Sequence, residues 1–266
     1  MSVLESIGAS VIDRLAYVGG LTNQFVQGVV VLPRVLPLLG SRGRWHAAIR
    51  QMYAIGVAAL PMIAIVAACA GCILAIQSST VLNKLGALRL VVNIVVIAFT
   101  KELGPLLTAT VVSGRSGSAF SAEIGTMVVT EEIDALRTMA IDPIELVLAP
   151  KYIAAMIVVP CLTIMSSFFG ILASGAFMYI STHMTFPIYW QYVTQAIVLH
   201  DVFTGLLKSL VFSAIIVQVG CMEGFRVAGG PEAVGKSATS AVVKSTLLVI
   251  FADLLITAVF YMMGAN

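Results

Sequence analysis

Long apolar stretches alternate with shorter polar ones along most of this chain. No charged residue lies between Arg50 and Lys84, only Lys101 and Glu102 fall within 90–113, and none lies between Lys151 and Asp201. Two more apolar stretches follow, 202–222 with Lys208 inside it and 242–263 with Asp253 inside it. A helix that crosses a bilayer needs about twenty mainly apolar residues. The pattern therefore predicts an all-α membrane protein with five transmembrane helices, at about 53–77, 90–113, 152–181, 202–222 and 242–263. Five spans put the two termini on opposite sides. Residues 183–200 carry Phe186, Pro187, Tyr189, Trp190 and Tyr192, an aromatic cluster suited to an interfacial helix or loop at headgroup level.

Residues 1–50 are too polar to span and form a separate N-terminal segment. Val3, Leu4, Ile7, Val11, Leu15 and Val18 recur at helical spacing, and Leu21, Phe25 and Val29 continue the stripe. The stripe fits an amphipathic helix lying in the membrane interface or one packed against the bundle, and the interfacial version is preferred. Glu5, Asp13 and Arg14 interrupt the first twenty residues, so no cleavable signal is expected. Arg14, Arg34, Arg42, Arg44 and Arg50 precede the first span; Arg115, Arg137 and Lys151 follow the second; Arg226, Lys236 and Lys244 follow the fourth. The other side holds Lys84 and Arg89. The positive-inside rule then places the N-terminus and the 114–150 and 223–244 segments in the cytoplasm, and the C-terminus outside.

The block 114–143, GRSGSAFSAEIGTMVVTEEIDALRTMAIDP, is far larger than a turn requires. Glycines and serines at 113–118 are expected to end the second span. Helical spacing resumes through Ile124, Val128, Ala135 and Met139, which predicts an amphipathic helix at about 118–140. Asp142-Pro143-Ile144-Glu145 has the form of a new helix start, with Asp142 as N-cap, Pro143 as first helical residue and Glu145 reaching back. An ordered polar block of this size points to something docking on it.

Composition supports lipid as the solvent. Charged residues make up 11% of the chain, against roughly a quarter in soluble domains, and a net charge of +2 gives no basis for nucleic-acid binding. Cys69 and Cys72 form a CxxC inside an apolar run, while Cys161 and Cys221 are isolated; all four are expected to pack as small apolar residues. His46, His183 and His200 share no metal-ligand spacing, no catalytic motif is present, and no metal site is expected. Residues 230–237, GPEAVGKS, match the phosphate-loop pattern formally, but no parallel sheet can be built around them, and the plainer reading is a cytoplasmic turn. The charges inside the spans are better leads, because Lys101, Glu102, Lys208 and Asp253 each cost several kcal/mol if unpaired in the bilayer. By helical rise, Glu102 lies about 18 Å and Lys208 about 9 Å from the starts of their spans, a gap that long side chains partly bridge. They either form a buried ion pair or face a cavity or headgroup. Gly104-Pro105 follows Glu102 at once and should kink or loosen the helix there.

KELGP at 101–105, the 114–143 block, and GGPEAVGKSATSAVV at 229–243 together resemble the MlaE-type (YrbE-type) permeases of ABC phospholipid transporters. The likeness covers 51–266 as one permease domain. It implies a homodimer with an interfacial N-terminal helix and a cytoplasmic coupling helix in each subunit. It further implies a multi-pass place in a bacterial inner membrane, with the C-terminus periplasmic, and a role in outer-membrane lipid asymmetry. Implied partners are two copies of a cytoplasmic ABC ATPase, a hexameric periplasmic MCE-domain protein, and in many systems a STAS-domain protein.

The function so implied is non-enzymatic: passage of phospholipids between the inner membrane and the MCE carriers, with ATP and magnesium held by the partner ATPase and no cofactor on this chain. Glu102 falls on the family's acidic position in the second span, where an arginine commonly precedes it; Lys101 keeps the charge but loses the bidentate fork. Lys101, Glu102 and Lys208 are thus candidates for the headgroup region, and Leu74, Val81 and Leu82 for the acyl-chain path. Glu123, Thr130, Glu131, Glu132, Asp134 and Arg137 are candidates for ATPase coupling. Alternatives are an MCE-type importer of sterols or fatty acids, a membrane-embedded lipid-modifying enzyme, and a bare anchor.

Overall fold

A computed structural model describes residues 42–263, and among them the chain is helical, with no strand. Residues 1–41, which hold most of the expected interfacial helix, lie outside the described residues. Ten α-helices follow in order: α1 (Arg42–Gly56), α2 (Leu60–Leu82), α3 (Leu88–Ala98), α4 (Gly104–Val112), α5 (Ser118–Val129), α6 (Glu132–Thr138), α7 (Ala149–Thr182), α8 (Phe186–Ala196), α9 (Leu199–Phe225) and α10 (Pro231–Met262). Wider π-helical turns at Phe99–Leu103, Ser113–Gly117 and Ile144–Leu148 join α3 to α4, α4 to α5, and lead into α7. Five helical stretches are long and apolar enough to cross a membrane: Trp45–Leu85, Leu88–Val129, Leu146–Thr182, Leu199–Phe225 and Pro231–Met262.

Helices are what lipid demands, because every backbone N–H and C=O must find a partner within its own segment. That demand overrides the small residues at 113–118, which do not end the second apolar helix. The backbone widens into a π turn there and continues to Val129, and the Ser118 hydroxyl donates to the Gly114 and Arg115 carbonyls at 2.6 and 3.0 Å. The segment expected as one helix over 118–140 is two. Glu131 takes a left-handed backbone, φ 61°, and separates α5 from α6, and Ala140, φ 55°, marks the turn after α6. Pro143 and the π turn after it then lead into α7 without an open loop; the side chain of Glu145 lies outside the description. Residues 230–237 also differ from the turn expected of them. Gly229 (φ 114°) and Gly230 make the turn, Pro231 starts α10, and Gly235, Lys236 and Ser237 are helical.

Lipid tails are as apolar as leucine, so these helices associate through close packing rather than through the hydrophobic effect. On α2 the buried face is Ile63, Ala67, Gly71, Ala75 and Ser79, a four-residue repeat of mostly small side chains. A Cβ at Gly71 would sit 2.1 Å from the Gly170 carbonyl oxygen of α7, so the two backbones touch. One apolar core, at the α5–α6 end, joins α1, α4, α5, α7 and α9 through Ile55, Val112, Ile124, Tyr152, Val159 and Phe212. A second, at the α8 end, joins α2, α3, α7 and α8 through Val91, Val95, Phe99, Ile171, Met178 and Tyr189. Burial of Tyr189 among them raises its hydroxyl above the usual tyrosine range, an effect partly offset by its hydrogen bond with Ser174. Helix α9 is the most enclosed span and α10 the least.

Candidate functional site

Proline at 105 has no N–H to give the Lys101 carbonyl, so a regular helix through 101–105 would leave that ladder broken. The chain resolves this with the π turn Phe99–Leu103. Gly104 N–H reaches back five residues to the Phe99 carbonyl, and the Ser167 hydroxyl of α7 donates to the same oxygen at 3.0 Å. Such turns occur disproportionately at functional sites, and this one carries Lys101 and Glu102.

The two residues reach different levels of α9. Lys101 Nζ lies 3.1 Å from Asp201 Oδ1, and Glu102 Oε2 accepts a hydrogen bond from Lys208 Nζ. Asp201 and Lys208 are seven residues apart, about 10 Å along the same helix face, which gives each member of the 101–102 pair its own partner. Helix α10 closes the group. Lys208 Nζ donates to Thr257 Oγ1 at 2.7 Å and lies 2.8 Å from Asp253 Oδ1, while Thr257 Oγ1 is 3.3 Å from Glu102 Oε1. The Asp253 contact is an ion pair off the line of a hydrogen bond, and its Oδ1 accepts none. Gly205 permits the close approach: a Cβ there would meet the Thr100 carbonyl oxygen at 2.0 Å.

Three carboxylates thus face two ammonium groups in one band shared by the second, fourth and fifth spans, with His200 Nδ1 3.8 Å from Asp201. Lys208 is 1% exposed, whereas the Glu102 side chain is 38% exposed and offers an accessible edge. The charges singled out in the sequence are therefore neither isolated nor free. Asp201 and Thr257 complete the set and went unrecognised; the signal for Asp201 was its seven-residue spacing from Lys208 on one helix. Leu74, Val81 and Leu82 stand elsewhere, on α2, whose strongest neighbours are α7 and α3. Leu74 and Leu82 are half-buried against the α8-end core and Val81 is exposed.

At the opposite end, α5 is pinned to three spans. Glu123 Oε2 lies 2.9 Å from Lys151 Nζ of α7, and Lys151 is 3% exposed beneath the Phe120 ring. Ser121 shares a 2.6 Å hydrogen bond with Ser237 of α10, and Ser237 donates to the Glu223 carbonyl of α9 at 2.8 Å. The Glu223 carboxylate in turn holds Lys244 and Ser240, each at 2.8 Å. Beyond this anchorage α6 projects. Thr130, Glu131, Glu132, Asp134 and Arg137 are exposed there; Thr130 Oγ1 donates to the Thr126 carbonyl at 2.9 Å, and Arg137 pairs with Asp134 at 2.9 Å. Of the six coupling candidates only Glu123 is tied into the bundle by a salt bridge; the other five form the projecting surface.

The sequence profile of a family described as Permease MlaE matches residues 48–259. A probable ABC transporter permease protein of Rickettsia prowazekii is 37% identical over 213 residues, covering 80% of this chain and 82% of the relative. A probable ABC transporter permease protein of Synechocystis is 38% identical, covering 82% of this chain and 83% of the relative. The intermembrane phospholipid transport system permease protein MlaE of Haemophilus influenzae is 27% identical over 99% of both chains. With five apolar helices in the structure and a profile match over most of its length, this multi-pass membrane protein belongs to the MlaE permease family.

Proposed function

We propose that the protein is the permease subunit of an ABC transporter that moves phospholipids between the bacterial inner membrane and periplasmic MCE-domain carriers. The observation that carries this reading is the charge band at Lys101, Glu102, Asp201, Lys208 and Asp253. A polar group of this kind is costly in a bilayer and is normally kept for a pathway or a ligand. Glu102 leaves one edge open beside Lys101, so a headgroup finds an acceptor and a cation within one turn of helix. The phospholipid named for the Haemophilus relative has that chemistry. The chain itself acts without cofactor, ATP and magnesium being held by two cytoplasmic ATPases.

In this reading the α5–α6 end is cytoplasmic, in keeping with its arginines and lysines, and the α8 end faces the periplasm and a hexameric MCE ring. The subunit works as a homodimer. The exposed apolar side chains of α10, including Val243, Leu247, Ile250 and Leu254, support a second copy packing there. The α5–α6 end couples to the ATPase, with a STAS-domain protein as a further partner of the ATPase. The anchorage gives a physical route from one end to the other. A push on α6 reaches α5, which is bonded to α10 at Ser237; sixteen residues on, about 24 Å away by helical rise, the same helix carries Asp253, and Thr257 follows one turn later, both in contact with Lys208.

Proteoliposomes containing the chain, its ATPase and an MCE acceptor test this. Labelled phospholipid should move to or from the acceptor only with ATP, and reversing charge at Glu131 and Glu132 together should leave the bundle folded but uncouple hydrolysis from transfer. A double variant that binds its ATPase and transfers lipid normally would rule out the docking surface. Transfer of sterol or fatty acid in place of phospholipid would rule out the cargo, and chemical turnover of lipid by the chain alone would make it an enzyme.

A further inference from the structure

Beside the charge band, on the adjoining face of α9, lies a cavity of about 200 Å3 between α7, α8 and α9. It is larger than an apolar protein cavity of about 150 Å3 that takes up benzene. Its walls are Ile164, Phe168, Trp190, Val202 and Leu206, and no charged residue lines it. The hydroxyls on its surface are already used: Thr100 donates to the Val96 carbonyl at 2.8 Å, Thr163 to Val159 at 3.0 Å and Ser167 to Phe99 at 3.0 Å. Their protons are committed to backbone carbonyls, so a ligand acceptor finds no free hydroxyl donor among them, and a carboxylate no cation. A second, shallower hollow shares Phe168 and Trp190 and continues to Leu172, Phe186 and Pro187 at the start of α8. Phe186 stacks on Trp190 with ring centroids 6.4 Å apart, forming an aromatic rim. From Thr163 to Leu172 the combined slot runs about 13 Å along α7.

We propose that this slot binds one acyl chain of a bilayer phospholipid, as a site separate from the charge band, with the headgroup left outside at the level of α8. The slot opens sideways from a membrane-spanning bundle, so the medium at its mouth is hydrocarbon, and an unfilled apolar slot would forfeit the dispersion contacts of its lining atoms. The dimensions admit a stretch of single chain and not a whole diacyl lipid. The rim of Phe186 and Trp190 has the character of residues that sit at the headgroup boundary. The absence of charge from the lining excludes a free fatty acid held by its carboxylate. Thr100 and Gly205 form the partition between slot and charge band: both line the cavity, Lys101 follows Thr100 directly, and Lys208 is one turn beyond Gly205. A bound chain therefore braces the contact between α9 and the π turn that presents Lys101 and Glu102. The inference needs the membrane placement of the bundle and is independent of which cargo is transported.

The test is photolabelling of the full chain in bilayers of a phospholipid with a diazirine near the end of one acyl chain, followed by peptide mapping. Adducts at Ile171, Val202 and Leu206 should exceed those at Met165 and Leu210, exposed positions within a turn of the slot, by several-fold. Val202→Phe and Leu206→Phe, which fill the slot, should each bring labelling down to the level of the exposed positions with the thermal midpoint unchanged. Equal labelling of slot and exposed positions in the unmodified protein would overturn the proposal, whether or not the filled variants fold. So would loss of slot labelling on adding a small molar fraction of oleate, which would make the occupant a free fatty acid. Normal lipid transfer with an unlabelled slot, or a labelled slot without transfer, separates this inference from the transport function.

Discussion

Lys208→Met should destabilise the bundle sharply, while Lys208→Met combined with Asp253→Leu should leave it close to its original stability. Methionine nearly preserves the volume of a side chain that is 1% exposed, so the packing term is small and the electrostatic term dominates. In the single variant Asp253, 16% exposed, and Glu102, 38% exposed, lose their shared ammonium group. Breaking a buried pair from one side costs about 3–5 kcal/mol. Glu102 is the more exposed of the two and keeps its hydrogen bond from Thr257, so most of the loss falls on Asp253, and the low end, about 3 kcal/mol, is expected. For a chain of this size a loss of about 3 kcal/mol lowers the thermal midpoint by about 6–12 °C. Removing both charges avoids the uncompensated carboxylate, and replacements of that kind are often neutral or stabilising.

The assay is the thermal midpoint of the purified protein in one detergent, at fixed protein and lipid concentration, with helix content checked beforehand. A single variant as stable as the parent would show that Lys208 holds no buried partner, and a double variant less stable than the single would show that Asp253 is not the one left stranded. The double variant also separates architecture from function. If the band handles headgroups, the double variant folds and loses lipid transfer; normal transfer would restrict the band to a structural role.

Gly205→Val drives a side chain toward the Thr100 carbonyl, which, as backbone, cannot swing aside. Overpacking of this kind should cost about 1–3 kcal/mol, and a midpoint unchanged from the parent would mean that α9 and the π turn are not in contact. Glu131→Gly should raise the midpoint, because a left-handed backbone at φ 61° strains any residue with a Cβ by about 1–2 kcal/mol; a drop would show that the side chain outweighs the strain. Tyr189 lies outside the spans, and burial raises its pKa. The neutral form is the one the fold prefers, so stability is flat with respect to this group below the unfolded tyrosine pKa of about 10 and falls as pH rises above it. Tyr189→Phe should lose that alkaline decline; equal slopes in the two proteins above that pH would show that Tyr189 titrates as an exposed phenol.

The five spans were legible because a bilayer turns run length into structure: the apolar stretches separated by Lys84, by the 114–143 block and by the aromatic segment at 183–200 needed no tertiary information. The charged positions within them were legible for the same reason, since an unpaired charge in that setting is costly enough to demand an explanation. What could not be read was who pairs with whom. Lys101 and Glu102 are adjacent, and a regular helix would turn them about 100° apart; the π turn that Pro105 provokes decides which part of α9 each one meets. Depth counted from span starts set Glu102 and Lys208 apart, yet they are hydrogen-bonded. Depth along two differently placed helices does not measure distance between them.

Two of the local misreadings share a cause. Glycines and serines at 113–118 look like a break, and GGPEAVGKS looks like a loop, because propensities measured in water charge glycine for the backbone freedom it gives up. Within a membrane bundle the alternative to helix is an unsatisfied backbone, which costs more than those propensities. Small residues there permit close packing: Ser113 lies 2.5 Å from Ser245 of α10, and Ser121 lies 2.6 Å from Ser237. The signal that would have separated the cases was present in the second segment. Gly230 followed by Pro231 is the order for a helix that is beginning, the same logic that identified the start at Asp142-Pro143. Applied to both places, it would have made Lys236 and Ser237 helical, removed the resemblance to a phosphate loop without appeal to the missing sheet, and placed Ser237 where α10 can receive α5.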